Sequence, residues 1–391
     1  MTTDTISTFF SPQRVVVIGA SSREGSLGHI IVKNLLAGGM KAVNLSAVNP
    51  KYDSIQNVIC YPSVADIPET PDLAVIVTPA KTVSALFKEL GLKGTGSAVV
   101  ISAGFSEGNS QQGGEMEEAM LNEARKHGIR IVGPNCLGIL SPINDLNASF
   151  SHLIPEKGRI GVISQSGAML TSIIDWACGR GIGFSHLISL GDSTDIGFSE
   201  MLDFMSSDLH TDAILIYMES IHYARRFVSA ARAASRTKPI VVLKVGRSDE
   251  GRRAAASHTG ALAGSDDVYE TAFNRCGLLR VDGMRELFYA ASSLTAIKQL
   301  KGDRLAILTN GGGMGVLATD ALIKEGGRLS ILTEGTLQKL NKVLPKSWSH
   351  GNPIDIIGDA GSDRYSDALK IVLADEKVDA VLVLNCPTAV A

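Results

Sequence analysis

Val15-Val16-Val17-Ile18-Gly19-Ala20-Ser21-Ser22-Arg23-Glu24-Gly25-Ser26-Leu27-Gly28 sets the architecture of the chain. Four consecutive β-branched residues read as a strand buried on both faces, and the turn that follows is rich in glycine and serine and opens a helix. Such a turn presents backbone N–H groups and a helix N-terminus to phosphate. The spacing is not G-x-G-x-x-G, so the dinucleotide fingerprint is incomplete. The next strand reads Val43-Asn44-Leu45-Ser46-Ala47-Val48-Asn49-Pro50-Lys51 and has no carboxylate where an NAD ribose needs one. Lys51 there suits a phosphorylated ribose or an acidic pantothenate-type ligand; the alternative is a solvent-exposed loop lysine.

The same grammar recurs along the chain. Strands are expected at Arg14–Ile18, Leu73–Val77, Ser97–Ile101 and Arg130–Val132, with helices at Leu27–Ala37, Thr82–Leu90 and Gly114–His127. A second block gives strands at Gly158–Ser164, Phe184–Ser189, Ala213–Tyr217 and Ile240–Val245. Its helices are expected at Gly167–Arg180, Ser199–Ser206 and Tyr223–Ser235. Strand-helix alternation of this kind implies mostly parallel sheets with helices on both faces, an α/β chain. A third block starts at Asp303–Thr309 and adds helices at Gly315–Lys324 and near Ser366–Leu373, with a Pro-rich interruption between them and a strand at Ala380–Leu384. The expected domains are 1–150, 151–300 and 301–391. The last is expected to be truncated, since a chain ending just after a buried-type strand leaves an open sheet edge.

At 391 residues the chain is long enough for several domains of roughly 100–200 residues. Hydrophobic residues make up 45% and aromatics only 5%, so the cores should be built from Val, Ile, Leu and Ala. A formal net charge of −3 gives no global attraction to nucleic acid or anionic lipid. Cys60, Cys136, Cys178, Cys276 and Cys386 include no C-x-x-C pair, which fits a reducing compartment better than a disulfide framework or a zinc site. No metal site is expected. No apolar run approaches the ~20 residues of a membrane span, and the N-terminus has no signal-peptide pattern. A cytoplasmic protein with no membrane or nucleic-acid partner is expected.

The segment Ala256-Ser257-His258-Thr259-Gly260-Ala261-Leu262-Ala263-Gly264 surrounds one imidazole with hydroxyls and small residues. A ring nitrogen of histidine can take up a phosphoryl group, so His258 is a candidate nucleophile; the alternative is a small-residue loop that happens to include a histidine. Other strand ends carry small-residue turns: Thr78-Pro79-Ala80, Ser102-Ala103-Gly104 and Gly133-Pro134-Asn135-Cys136-Leu137-Gly138. Ligands of open α/β sheets bind at the carboxyl ends of strands, where these turns fall, although each is also ordinary turn chemistry. Ile163-Ser164-Gln165-Ser166-Gly167-Ala168 and Leu308-Thr309-Asn310-Gly311-Gly312-Gly313-Met314-Gly315 each end a strand and open a helix.

Taken together, these motifs resemble the NDP-forming acyl-CoA synthetase superfamily, which includes succinyl-CoA synthetase, over essentially the whole chain. The resemblance implies a Rossmann-like CoA-binding domain followed by two flavodoxin-like, succinyl-CoA synthetase-like domains. It implies that Gly19, Ser21, Arg23, Lys51, Thr78, Pro79 and Ser102 contact CoA. His258 would carry the phosphoryl group, oriented by Glu219 at a strand end. Asn135, Ser164, Gln165, Ser166 and Gly167, with Gly312 and Gly313, would cradle carboxylate and phosphate, the two helix starts facing one another across one anion site. The implied activity is that of an acid-thiol ligase like ADP-forming acetate-CoA ligase, passing phosphoryl from an acyl phosphate through His258 to a nucleotide. ATP or ADP and Mg would enter through an ATP-grasp module outside this chain, as a partner subunit or downstream domain. The other implied reading is a CoA- or acetyl-CoA-sensing region of a protein lysine acetyltransferase; the Arg225–Ser235 stretch and Gly191-Asp192-Ser193 are similar to that branch. A homo-oligomer stays open.

Overall fold

The computed structural model describes residues 3–106, 110–253, 265–296, 300 and 302–388. His258 and the rest of 254–264 lie outside the described residues. The chain forms two compact units, Met1–Ala296 and Ile297–Ala391.

The first unit holds two seven-stranded sheets. One comprises β1 (Val15–Ile18), β2 (Leu45–Val48), β3 (Ser54–Ile55), β4 (Val58–Tyr61), β5 (Leu73–Ile76), β6 (Ser97–Val100) and β7 (Arg130–Val132). Their order is β3-β4-β2-β1-β5-β6-β7, parallel apart from the β3–β4 pair. Every residue of β1, β5 and β6 is buried, which is why these strands lack polar alternation. Around them pack α1 (Thr3–Phe10), α2 (Leu27–Gly38), α3 (Ala80–Lys93) and α4 (Gln111–His127). Ser26 caps α2 by accepting the His29 N–H at 3.4 Å, and Ile31, Val32 and Leu35 are its buried stripe. Helix α4 starts earlier than the expected Gly114, because Ser110 accepts the Gly113 N–H at 3.0 Å.

The second sheet contains β8 (Gly138–Ser141), β9 (Leu146–Ser149), β10 (Lys157–Ser164), β11 (Phe184–Ser189), β12 (Ala213–Met218), β13 (Ile240–Lys244) and β14 (Leu279–Val281). Its order is β14-β13-β12-β10-β11-β8-β9. The hairpin β8–β9 runs antiparallel to β11, so residues 138–149 pair with the second sheet. The flanking helices are α5 (Gly167–Ala177), α6 (Phe198–Ser207), α7 (Ala224–Ala234), α8 (Asp266–Cys276) and α9 (Met284–Ala296). One apolar cluster runs from Phe9, Val17 and Leu73 through Val132 and Ile139 to Ile163, Ile188 and Ile216, and so joins both sheets.

The second unit is smaller. Its β15 (Arg304–Thr309) pairs in parallel with β16 (Arg328–Leu329), β17 (Ile354–Asp355) and β18 (Ala380–Leu384). Three helices accompany them: α10 (Gly312–Lys324), α11 (Glu334–Val343) and α12 (Ser362–Leu373). Helix α11 occupies what reads as a Pro-rich interruption. Its Thr333 cap, accepting the Thr336 N–H at 3.3 Å, is hidden by the polar run around it. Among the described residues no helix is long and apolar enough to cross a membrane.

Candidate functional site

Each sheet of the first unit has a point where the chain reverses its direction of winding. In the first, β1 has β2 on one side and β5 on the other, so the crevice opens between the ends of β1 and β5. Gly19 sits there with φ +92°, a conformation that L side chains rarely adopt. A Cβ at Gly28 would collide with the Gly19 carbonyl, so the start of α2 is pressed against the turn. Gly28 therefore serves the close helix–strand approach although the fingerprint spacing is absent. Neighbouring strand ends are laced to this turn. Asn49 Nδ2 donates to Ala20 O at 2.7 Å, and the Lys51 N–H donates to Asn49 Oδ1 at 3.0 Å. Ser102 Oγ donates to Thr78 O at 2.5 Å, joining the ends of β6 and β5. Lys51, Arg23 and Pro79 are exposed; Ser21 and Thr78 are half-buried.

In the second sheet β10 has β11 on one side and β12 on the other. Ser164, the last residue of β10, is fully buried and donates to Ser166 O at 2.7 Å. Ser166 caps α5, accepting the Met169 N–H at 3.3 Å, so the first turn of α5 starts at Gly167. Gln165 is buried and turned toward the end of β12. Its Oε1 accepts the backbone N–H groups of Glu219 at 2.6 Å and Ser220 at 2.9 Å. That pair of bonds fixes the backbone from which the buried Glu219 side chain projects.

The two edges meet in a cavity of about 520 Å³. Among the expected site residues, Ser102, Asn135, Gln165, Ser166, Gly167 and Glu219 all line it. Asn135 is the link between the sheets. Its N–H donates to Ser102 O at 3.0 Å and its Nδ2 to Asp192 Oδ1 at 3.3 Å. Its φ of +55° is a left-handed conformation that asparagine tolerates. Leu27, Ile101, Leu137 and Phe150 supply the apolar wall. Cys136 also lines the cavity, but burial pushes its thiol up to about 12, so it is no nucleophile at neutral pH. Ser164, fully buried behind the turn, does not line the cavity, and neither do Gly19, Ser21, Arg23, Lys51, Thr78 and Pro79, which belong to the turns at the strand ends of the first sheet.

Asp192, which the sequence reading notes only within the Gly191-Asp192-Ser193 run and not as a site residue, also lines the cavity. Sequence reading passes over Lys244, which ends β13 and is 1% exposed. Burial lowers its pKa to about 8, against the fields of Asp266 and Glu219, which favour the charged form. A lysine closing an apolar run was the available signal.

Gly312 and Gly313 belong to the second unit, where they form the first turn of α10 and are exposed. Asn310 braces that turn, donating to Cys386 O at 2.9 Å and accepting from Cys386 N at 2.7 Å. No side chain caps α10.

Residues 13–142 match the family described as CoA binding domain, 157–294 the succinyl-CoA ligase like flavodoxin domain, and 305–391 the Ligase-CoA domain. The chain is 44% identical over 382 residues to acetate--CoA ligase [ADP-forming] I of Archaeoglobus fulgidus, covering 97% of this chain and 55% of that protein. It is 40% identical over 389 residues to the alpha subunit of acetate--CoA ligase [ADP-forming] I of Pyrococcus furiosus, covering 98% of this chain and 84% of the subunit. It thus spans about half the length of the first relative and most of the second. The solved structure of dinucleotide forming acetyl-coenzyme A synthetase 1 from Ca. Korarchaeum cryptofilum, in complex with phosphate and ADP, superposes with a TM-score of 0.93 at 38% identity, covering 98% of this chain and 82% of that one.

Proposed function

The chain belongs to the NDP-forming acyl-CoA synthetase superfamily, and on that premise we propose that it is the CoA-binding and phosphohistidine portion of an acyl-CoA synthetase, with His258 as phosphoryl carrier. The observation that carries this reading is the single cavity in which Ser102, Asn135, Gln165, Ser166, Gly167 and Glu219 come together at two sheet crevices.

In the ATP-forming direction a phosphate oxygen attacks the thioester carbonyl of acyl-CoA, the C–S bond breaks, and CoA leaves as the thiol. The resulting acyl phosphate gives its phosphoryl group to a ring nitrogen of His258, the P–O bond breaking as the carboxylate leaves. A nucleoside diphosphate then takes the phosphoryl from the histidine. The turn from Gly19 to Arg23, with Lys51, Thr78 and Pro79, binds CoA; Ser164–Gly167 and Asn135 hold the phosphate and carboxylate. Glu219 orients the histidine and stabilises its positive charge. Gly312 and Gly313, in the first turn of α10, are phosphate-binding residues in this reading, because an uncapped helix N-terminus suits an anion. Nucleotide and Mg are held by an ATP-grasp module, as a separate subunit or as further chain, and the reaction is placed in the cytoplasm. Acetyl is the first acyl group to test, because acetate is named in the relatives above.

The test is labelling of the chain with acetyl [³²P]phosphate, with CoA and an ATP-grasp partner supplied. The label should be acid-labile and alkali-stable, and His258→Ala should abolish it while CoA binding persists. Undiminished labelling of His258→Ala overturns the mechanism. No labelling of the unmodified chain favours a CoA-sensing role instead.

A further inference from the structure

Strand β13 ends at Lys244 and α8 begins at Asp266; the chain between them includes position 258. Side chains from the two flanks of that connection meet. The buried Lys244 ammonium lies 4.5 Å from the centroid of the Tyr269 ring. Its conventional hydrogen bond goes to the adjacent Val245 carbonyl. Further along, Arg247 Nε lies 3.4 Å from Asp266 Oδ2, and another nitrogen of Arg247 reaches Asp282. Asp266 Oδ1 is held at 2.5 Å by Arg280, whose side chain is 5% exposed and also bonds Glu270 at 2.8 Å. Arg280 stands on β14, opposite Val242 of β13, and Lys244 stands opposite Met218, the residue before Glu219.

Stability gives little reason for the Arg247 and Lys244 contacts. Exposed ion pairs are worth about 0–1 kcal/mol, and a buried ammonium over a ring can often be replaced by an apolar side chain without loss. What the arrangement secures is location. Residues 247 and 266 are brought together just beyond the end of β13, the strand beside β12, whose last residue, Met218, precedes Glu219.

We propose that Lys244, Arg247 and Asp266 are positioning residues, a side-chain clasp that holds together the two flanks of the connection carrying His258, with Arg280 buttressing Asp266. This rests on the phosphohistidine reading given above. Holding a reacting group within reach of its partner is where such contacts act on rate, and small misplacements there cost up to ~10²-fold.

The full chain and three variants, Asp266→Asn, Arg247→Met and Arg247→Lys, are compared by rate of labelling with acetyl [³²P]phosphate, CoA affinity by calorimetry, and hydrogen exchange over 245–265. Asp266→Asn should label roughly 10–100-fold more slowly and Arg247→Met about 2–5-fold more slowly, with CoA affinity unchanged, and Arg247→Lys should recover most of the rate because it restores the charge. Exchange over 245–265 should rise in the slow variants while the strands stay protected. Native labelling rates in both Asp266→Asn and Arg247→Met, or unchanged exchange, would overturn the clasp. So would a rate loss that tracks lost CoA affinity. If the unmodified chain takes no label, the phosphohistidine reading falls and the clasp's catalytic role falls with it. Labelling that persists equally in all variants removes the clasp alone.

Discussion

Replacing Gln165 by leucine removes one side-chain oxygen and strands two backbone donors. The N–H groups of Glu219 and Ser220 lie 2.6 and 2.9 Å from Gln165 Oε1, and the residue is 7% exposed. Leaving a buried donor unsatisfied costs about 1–3 kcal/mol, so the pair is worth roughly 2–6 kcal/mol. The cavity beside Gln165 can admit water to one of them, which favours the lower half of that range. At about 2 °C per kcal/mol, the low end that a unit this large calls for, the melting temperature should fall by roughly 4–8 °C. Gln165→Glu is the control. Its carboxylate still accepts both N–H groups but places a buried negative charge beside Glu219, which raises its own pKa and costs stability. Both variants should therefore lose stability, but that of Gln165→Glu should recover at low pH, where its carboxyl is protonated, and that of Gln165→Leu should not. Thermal denaturation followed by circular dichroism, at neutral and at low pH, reads both. A Gln165→Leu protein melting within about 1 °C of the native chain would refute the reasoning.

Lys51→Glu should weaken CoA binding at least tenfold by placing negative charge beside the phosphate-accepting turn, and calorimetry showing NAD bound more tightly than CoA would remove the basis for this. Glu219→Gln should slow His258 labelling by ~10²–10⁴-fold without abolishing it, since an amide still contacts the ring but stabilises its positive charge less. Lys244→Met should be more stable than the native chain at pH 7. Burial lowers the Lys244 pKa to about 8 from its ordinary value near 10.4, so the folded state carries a desolvated charge below pH 8. Between about pH 8 and 10 the unfolded chain holds more protons, native stability contributed by this group rises, and the advantage of the variant should disappear. Urea titrations at pH 7 and pH 10 showing the same difference would refute that assignment. The clasp adds that this stabilised variant labels slowly.

The sheets were legible because their strands are buried on both faces. Val15–Ile18, Ala213–Met218 and Ile240–Lys244 need no alternation and stand out as apolar runs. The crevice residues at Gly19 and at Ser164–Gly167 were legible for a related reason, as small polar turns directly after such runs. What escaped is non-local. Nothing in Gly138–Ser149 tells that the hairpin turns antiparallel against β11, because that pairing depends on a strand about forty-five residues later. Asp192 lines the cavity beside Asn135, which bonds it across 57 residues of sequence. Helix α8 was hidden by its polar face, since only Phe273 and Cys276 are buried in it.

The cavity is lined by the carboxylates of Asp192 and Glu219, and no lysine, arginine or histidine is among its described lining residues. Among those residues, what an anion would meet is N–H groups and hydroxyls: the first turn of α5 after Ser166, and the Asn135 amide. Helix N-termini contribute about 0.3–1 kcal/mol each in the open and up to ~2 kcal/mol when partly buried. That is enough to orient a phosphoryl group and too little to trap it. A lysine or arginine in the wall would bind phosphate more firmly in the ground state, which deepens the well that transfer must leave. Dipoles without a fixed counter-charge suit a group that must arrive on one molecule and depart on another. The exposed basic residues of the molecule's first sheet, Arg23 and Lys51, stand outside this cavity, at the turns where a ligand that stays bound through the transfer would be held by its own phosphates.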